Sequence, residues 1–411
     1  MNNSLNILDK AKITAPKGFE AAGIHCGIKK QKKDLAMIYS KVPTLHSAVY
    51  TKNLVKAAPL LWCQELTKNK SKIQAIVINS GNANACTGER GYQDVIKTIE
   101  TASEALNIDK NSVMTTSTGV IGVYLPMENL VCGVKEISTV LSDDDKSAKD
   151  CAQAIMTTDT FEKEAAVELE LGGKIVTIAG IAKGSGMIHP NMATMLNFIT
   201  TDVNITQEML DKAFKSNIDD TFNMITVDGE TSTNDMAVIL ANGMAENPLI
   251  DSENEDFYKF KNALFYITKE LAKDIVKDGE GASKFLECTI LNVSDKEKGR
   301  VLCKAILNSS LVKTAFFGRD ANWGRVLSAM GAAGESFNPD LVQIKFKSNA
   351  GEILLYEKGA PVEFDEDYAL KILSEKEIKI LIDMNEGEEK ITGWGCDLTY
   401  DYVKINAEYR S

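Results

Sequence analysis

Apolar and polar positions along the chain fall into two periods. The runs IQAIVIN (73–79), AAVELEL (165–171), KIVTIAGI (174–181), MLNFIT (195–200) and DMAVILA (235–241) are short and strand-like. Gly172 and Gly173 separate the second run from the third, which predicts a hairpin. The stretch 207–217 predicts a short helix. A longer helix is predicted over 252–277, where Phe257, Phe260, Leu264, Ile267, Leu271 and Ile275 recur at steps of three and four. Ser252 or Asn254 can cap its start, and Gly279 follows its end. From about residue 284 the pattern restarts. Strands are predicted at 285–293, 342–347, 352–357 and 377–384, with a helix near 367–374 and a closing alternating strand, YVKINAEY, at 402–409. Several adjacent pairs of strands read as antiparallel. The expected class is therefore α+β, layered sheets with helical cover rather than a doubly wound parallel sheet, with 284–411 as a smaller α/β unit.

Length and charge narrow the function. A chain of 411 residues is long enough for two or three domains. Its net charge is -12 and it has no long basic stripe, which disfavours nucleic acid as a partner. The short basic run Lys29, Lys30, Lys32, Lys33 is expected to be a solvated turn. No window approaches the roughly 18 apolar residues of a membrane helix, and the first residues lack the pattern of a secretory signal. Eight scattered cysteines without a CxxC pair read as reduced thiols, not as a disulfide framework or zinc site, and suit a cytoplasmic protein. Only three histidines occur, His25, His46 and His189, so a His-rich metal site is not expected; the chain is read as having no metal and no cofactor.

The glycine-rich run AKGSGMIHPNM (182–192) fits neither GxxxxGK[ST] nor GxGxxG, so nucleotide binding is unsupported. It does give the chain backbone freedom just before Thr194. A threonine at the start of a strand is ordinarily structural. As a nucleophile it needs a base, and with so few histidines its own α-amino group becomes an attractive one. That amine, with a pKa of about 8, exists only if the bond between Ala193 and Thr194 is cut. In NSVMTTSTGVIG (111–122), the Thr118 hydroxyl and the Gly119 backbone N–H can together form an oxyanion hole, although a polar turn is the commoner reading. AIMTTDT (154–160) can meet a polar ligand or merely end an element. In VKDGEGASK (276–284), Glu280 sits in a glycine turn where it can reach an ammonium group or stay solvated.

The stretches KGSGMIHPNMATML (183–196), STGVIG (117–122), INSGNANACTG (78–88), AIMTTDT (154–160), VDGETSTND (227–235), GEGASK (279–284) and GRDANWGR (318–325) occur in this order over nearly the whole chain. In these blocks the chain resembles the ornithine acetyltransferases, glutamate N-acetyltransferases of arginine biosynthesis. The resemblance implies self-cleavage at Ala193–Thr194, an N-terminal-nucleophile architecture, and an α chain (1–193) that stays with a β chain (194–411), in an α2β2 assembly. Thr194 then takes acetyl from N-acetylornithine and passes it to glutamate by a ping-pong route. Acetyl-CoA as a further donor is left open. Carried over by motif, Thr118 and Gly119 form the oxyanion hole, and Thr157, Lys183, Thr194, Glu280, Asn406 and Ser411 bind substrate. At Thr157 the adjacent Thr158 leaves a one-residue ambiguity, and Ser411 stands where relatives often have threonine. Lys183 can pair with a substrate carboxylate and Glu280 with ornithine's side-chain ammonium, with the assignment of ends open. His189 is read as a structural loop residue. The rival reading is a self-processing aminopeptidase or amidohydrolase of related architecture, whose nucleophile is usually serine.

Overall fold

Alternation along the strands sets the layers of the fold. A computed structural model describes residues 5–8, 12–189 and 195–408. In order across the larger, nine-stranded sheet run Asn6–Ile7, Lys163–Leu171, Lys174–Lys183, Leu196–Thr201, Met236–Ala241, Leu35–Tyr50, Ile73–Asn82 and Val113–Val120, with Phe19–Ile24 also paired to Leu35–Tyr50. The Leu35–Tyr50 strand joins two portions of this sheet. Its first half pairs with Phe19–Ile24 and Ile73–Asn82, its second half with Met236–Ala241, and the register shifts between Tyr39 and Thr44.

The two portions turn one face each toward a shared core. Ala36, Ile38, Ile76 and Ile78 from one portion meet Ile181, Phe198, Val238 and Leu240 from the other, with the helices Ala58–Lys68 and Asp145–Ile155 contributing Leu60, Cys63, Cys151 and Ile155. The intervening residues face outward, as a period of two requires. Leu35, Met37, Ala75 and Val77 pack under the helices Gly88–Leu106 and Met127–Ile137. Val167, Val176, Ile178, Ile199 and Ile239 pack under Gln207–Asp220 and Glu255–Lys277. The result is helix, sheet, sheet, helix, the layered α+β class read from the sequence.

Local signals read well. The hairpin turns at Gly172 and Gly173, with Leu171 opposite Lys174. The long helix spans Glu255–Lys277 and is capped by Asn254, whose side chain accepts from the Phe257 N–H, so Asn254 rather than Ser252 is the cap. A six-stranded sheet follows, in the order Ala360–Pro361, Gly351–Glu357, Gln343–Ser348, Glu377–Asp383, Phe285–Val293, Glu389–Cys396. Its buried face belongs to the same apolar cluster as the Glu255–Lys277 helix.

Two expectations are corrected. The closing strand expected over 402–409 is not found where the structure describes it: Tyr400–Glu408 is a helix, and residue 409 lies outside the described residues. Its alternation has no sheet to join, since Val403 is exposed and the helix has no fully buried residue. The helix is instead laid over the glycine turn at 279–281, where the Thr399 hydroxyl donates to the Gly281 carbonyl at 2.6 Å. The basic run 29–33 is also not simply solvated. Lys29 is partly buried, donates to the carbonyls of Lys33 (3.0 Å) and Met156 (2.6 Å), and burial lowers its pKa to about 8. Lys33 is paired with Asp150. The cysteines are free thiols, five of them buried. Among the described residues no group of His, Cys, Asp and Glu is placed to hold a metal ion, and no helix is long and apolar enough to cross a membrane.

Candidate active site

Strand ends supply the site. Val113–Val120 lies parallel to Ile73–Asn82, and near its end Gly81 stands opposite Gly119. Gly119 has φ +133°, and a Cβ there would lie 2.3 Å from the Gly81 carbonyl carbon. Only glycine allows so close an approach of two backbones. Lys183 ends the Lys174–Lys183 strand, and its register against Leu196 places it beside the start of Leu196–Thr201. That strand runs parallel to Met236–Ala241, with the Met236 N–H donating to the Met195 carbonyl at 3.0 Å.

A cavity of about 150 Å³ opens where these ends converge. Thr118, Gly119, Thr157, Thr158, Lys183, Glu280 and Asn406 all line it, together with Met195 and Leu196 and with the segment Ser232–Asp235. Six residues chosen from the sequence, separated by up to 288 positions (406 minus 118), thus meet in one place. Both Thr157 and Thr158 are present, so each can serve the role assigned to one. Ala193, Thr194 and Ser411 lie outside the described residues, as does Pro190 of the glycine-rich run. Thr194 is bonded to Met195, which is in the wall of the cavity.

Inside, charge is organised around Lys183. Its buried ammonium donates to the Thr118 hydroxyl at 3.2 Å. Burial lowers the lysine pKa, opposed by the negative charges of Asp159, Asp235 and Glu280. With its oxygen accepting from Lys183, the Thr118 hydroxyl is left to donate its own proton outward. The Glu280 carboxylate accepts from the Asn406 amide at 2.9 Å. Asn406 reaches it because the terminal helix packs on the turn: a Cβ at Gly281, φ +67°, would lie 2.4 Å from the Tyr402 N. Tyr402 and Asn406 then share a helix face.

Sequence reasoning missed the scaffold behind these groups. The fully buried Lys163 ammonium bonds Asp159 at 2.7 Å and Asp278 at 2.6 Å. Asp159 also accepts from the N–H groups of Gly184 (2.7 Å) and Thr157 (2.9 Å), and the Asp278 carbonyl accepts from the Ser185 hydroxyl at 2.6 Å. Burial pushes the Asp159 carboxyl up, but Lys163 and Lys183 outweigh it and hold the group below the usual carboxylate range. One ion cluster therefore ties the 157–163 loop, the glycine-rich run and the turn carrying Glu280. The run is held further on by Asp228, which accepts from the N–H groups of Met187 (2.6 Å) and Ile188 (2.9 Å). Asn234 staples the segment 232–235 to the oxyanion strand, donating to the carbonyls of Ala83 (2.6 Å) and Ser117 (2.8 Å). Asp159, Asp278, Asp228 and Asn234 fall in the motif blocks read from the sequence, but Lys163, which joins two of them, does not. His189 does not line the cavity: its ring meets the Asn308 amide at 3.2 Å, and burial lowers its pKa to about 4.

A family model described as the ArgJ family matches residues 20–411. The chain is 52% identical over 407 residues to the arginine biosynthesis bifunctional protein ArgJ of Caldanaerobacter subterraneus subsp. tengcongensis, covering 99% of this chain and 100% of that protein. It is 51% identical over 397 residues to the protein of the same name from Thermotoga neapolitana, covering 96% and 99%. Among solved structures it is similar to a chain of the ornithine acetyltransferase of Mycobacterium tuberculosis in complex with ornithine. There the identity is 37%, the match covers 46% of this chain and 100% of that one, and the TM-score is 0.43.

Proposed function

The chain belongs to the ArgJ family, and from that premise we propose how its residues carry acetyl from N2-acetyl-L-ornithine to L-glutamate. It is an acyltransferase of arginine biosynthesis. In this reading the chain first cuts itself between Ala193 and Thr194, and the freed α-amine of Thr194 becomes the base for the Thr194 hydroxyl. The hydroxyl attacks the acetyl carbonyl of acetylornithine. The oxyanion that forms is stabilised by the Thr118 hydroxyl and the Gly119 N–H, with Lys183 polarising the former. Ornithine leaves, glutamate enters the same cavity, and its amine attacks the acetyl ester on Thr194.

The single observation that carries this reading is the meeting of Thr118, Gly119, Lys183, Glu280 and Asn406 in one small cavity walled by the residue bonded to Thr194. Glu280, held by Asn406, suits the side-chain ammonium of ornithine; the further hydrogens of the Lys183 ammonium suit a substrate carboxylate. Thr157 and Ser411 complete the substrate contacts. The α chain (1–193) and β chain (194–411) stay together in an α2β2 assembly that works in the cytoplasm without a cofactor.

Purified protein supplied with acetylornithine and glutamate tests the proposal: N-acetylglutamate and ornithine should form in equal amounts. On a denaturing gel the active protein should run as two fragments, and Thr194→Ala should stay whole and inactive. A single intact band in active protein overturns the nucleophile assignment. Acetyl-CoA offered in place of acetylornithine reads whether a second donor is used.

A further inference from the structure

Breaking an amide and remaking it both require a proton to move at nitrogen. The C–N bond of acetylornithine cannot break until the departing nitrogen is protonated, and the ammonium of glutamate cannot attack until it has lost a proton. Among the described residues, the cavity contains one titratable side chain to which no role has been given. Asp235 lines it, is 3% exposed, and its Oδ2 has no hydrogen-bond partner among the described residues. A buried carboxyl oxygen left unpaired is costly, and such a group in a cavity marks a place where a ligand supplies the missing partner.

Its position fits the reacting nitrogen. Asp235 immediately precedes Met236, which pairs in parallel register with Leu196 and whose N–H donates to Met195. Asp235 therefore falls beside Met195, the residue bonded to Thr194. The Asn234 staple fixes its neighbour to the backbone of Ser117, one residue before Thr118, so the carboxyl and the oxyanion strand hold a set distance. A cavity of about 150 Å³ leaves an amide placed at Thr118 and Gly119 few lining groups from which to take a proton.

We propose that Asp235 is a further catalytic residue, the acid that protonates the departing amine of acetylornithine and the base that then deprotonates the amine of glutamate. In the first half, the Thr194 hydroxyl proton goes to its α-amine as the Oγ–C bond forms. The C–N electrons then return to nitrogen, which takes the Asp235 proton, leaving an acetyl ester and an Asp235 carboxylate. In the second half, glutamate leaves the extra proton of its ammonium to solvent, just as departing ornithine takes one up there; the free amine attacks the ester carbon and gives one N–H proton to Asp235. The C–O electrons return to Thr194, which recovers its proton from the α-ammonium. Both residues end as they began. Burial raises the Asp235 pKa well above the carboxylate range, against the opposing influence of Ser232, Lys183 and Thr51. Lys183, on the strand beyond Leu196–Thr201, is the cation it faces, and Glu280 is the other carboxylate among the described residues lining the cavity.

The inference rests on the acetyl-transfer reading, and the test separates the two. Acetylation of Thr194 is measured with two donors, acetylornithine and p-nitrophenyl acetate, whose leaving group needs no proton. Asp235→Asn should lose 100-fold or more with acetylornithine, about the lower bound for a general acid, yet stay within about threefold of unaltered enzyme with the aryl ester. Asp235→Glu should restore part of the lost rate. Equal effects on both donors, or no effect on either, overturn the role. Unaltered enzyme gives a second readout that does not depend on the variant folding or cleaving itself. Its kcat/KM for acetylornithine should fall at high pH on a limb that the aryl ester lacks, and identical limbs overturn the role. Unaltered enzyme that makes no acetylglutamate overturns the underlying reading instead.

Discussion

The ammonium of Lys183 stands 3.2 Å from the hydroxyl of Thr118, both buried and both at strand ends that meet in the cavity. A lysine that only held a distant substrate carboxylate would have no need of this contact. Its consequence is that the hydroxyl is oriented before the oxyanion forms, and preorganised donors are worth most in a site that excludes water.

Lys183→Met should therefore lower kcat by about 10²–10³, the range for loss of one oxyanion donor. Loss of carboxylate binding alone would raise KM and spare kcat. Steady-state rates with acetylornithine, taken on protein confirmed as cleaved by denaturing gel, distinguish the outcomes. Stability should change little, because Asp159 keeps Lys163 as its partner and a buried charge has been removed.

Gly119→Ala should damage the same hole through the backbone. The new Cβ would lie 2.3 Å from the Gly81 carbonyl carbon and 2.5 Å from the Asn82 N, both rigid, at φ +133°. The strain, about 1–3 kcal/mol, must be relieved by moving Thr118 and Gly119 away from Gly81. Activity should fall far more than the melting temperature. Gly122→Ala is the control: φ is +82°, but no atom lies within 4 Å of its Cβ. It should cost stability and leave kcat near the unaltered value.

Gly186→Ala should act on binding. Its Cβ would lie 2.3 Å from the Glu280 carboxyl carbon, the end of a flexible side chain, so Glu280 must swing from the Asn406 amide. If Glu280 holds the ornithine ammonium, KM for acetylornithine should rise by about tenfold, equivalent to about 1.4 kcal/mol, with little change in kcat. Asn406→Ala should raise KM in the same direction. Competition by free ornithine, measured alongside, should weaken by the same factor in both variants.

What the sequence disclosed depended on range. The Gly172–Gly173 hairpin and the stripe on Glu255–Lys277 are set by neighbours a few positions apart, and periodicity captures them. The Tyr400–Glu408 helix was misread because alternation at Val403 and Ile405 imitates a strand; what places the segment is Gly281, more than a hundred positions earlier. The lining residues Thr118, Lys183, Glu280 and Asn406 were legible through the motif blocks that carry them. The cluster of Lys163 with Asp278 was not, since 115 positions separate them and neither falls in a periodic pattern that singles it out.

That cluster gives the fold a pH signature. The Asp159 carboxyl has its folded-state pKa depressed by Lys163 and Lys183 despite burial. A depressed carboxylate stabilises the fold fully above its unfolded value of about 3.9, and the contribution is lost as pH falls below that and through the folded value. Lys163→Met leaves Asp159 and Asp278 buried without their shared cation, which should cost about 3–5 kcal/mol at neutral pH. In the variant the buried Asp159 carboxyl, without Lys163, gains by protonation as pH falls toward its unfolded value of about 3.9, and the unaltered chain loses below that, so the stability gap should narrow on acidification. Urea unfolding of both proteins at neutral and acid pH checks this; a gap that stays constant would mean that the cluster contributes packing rather than charge.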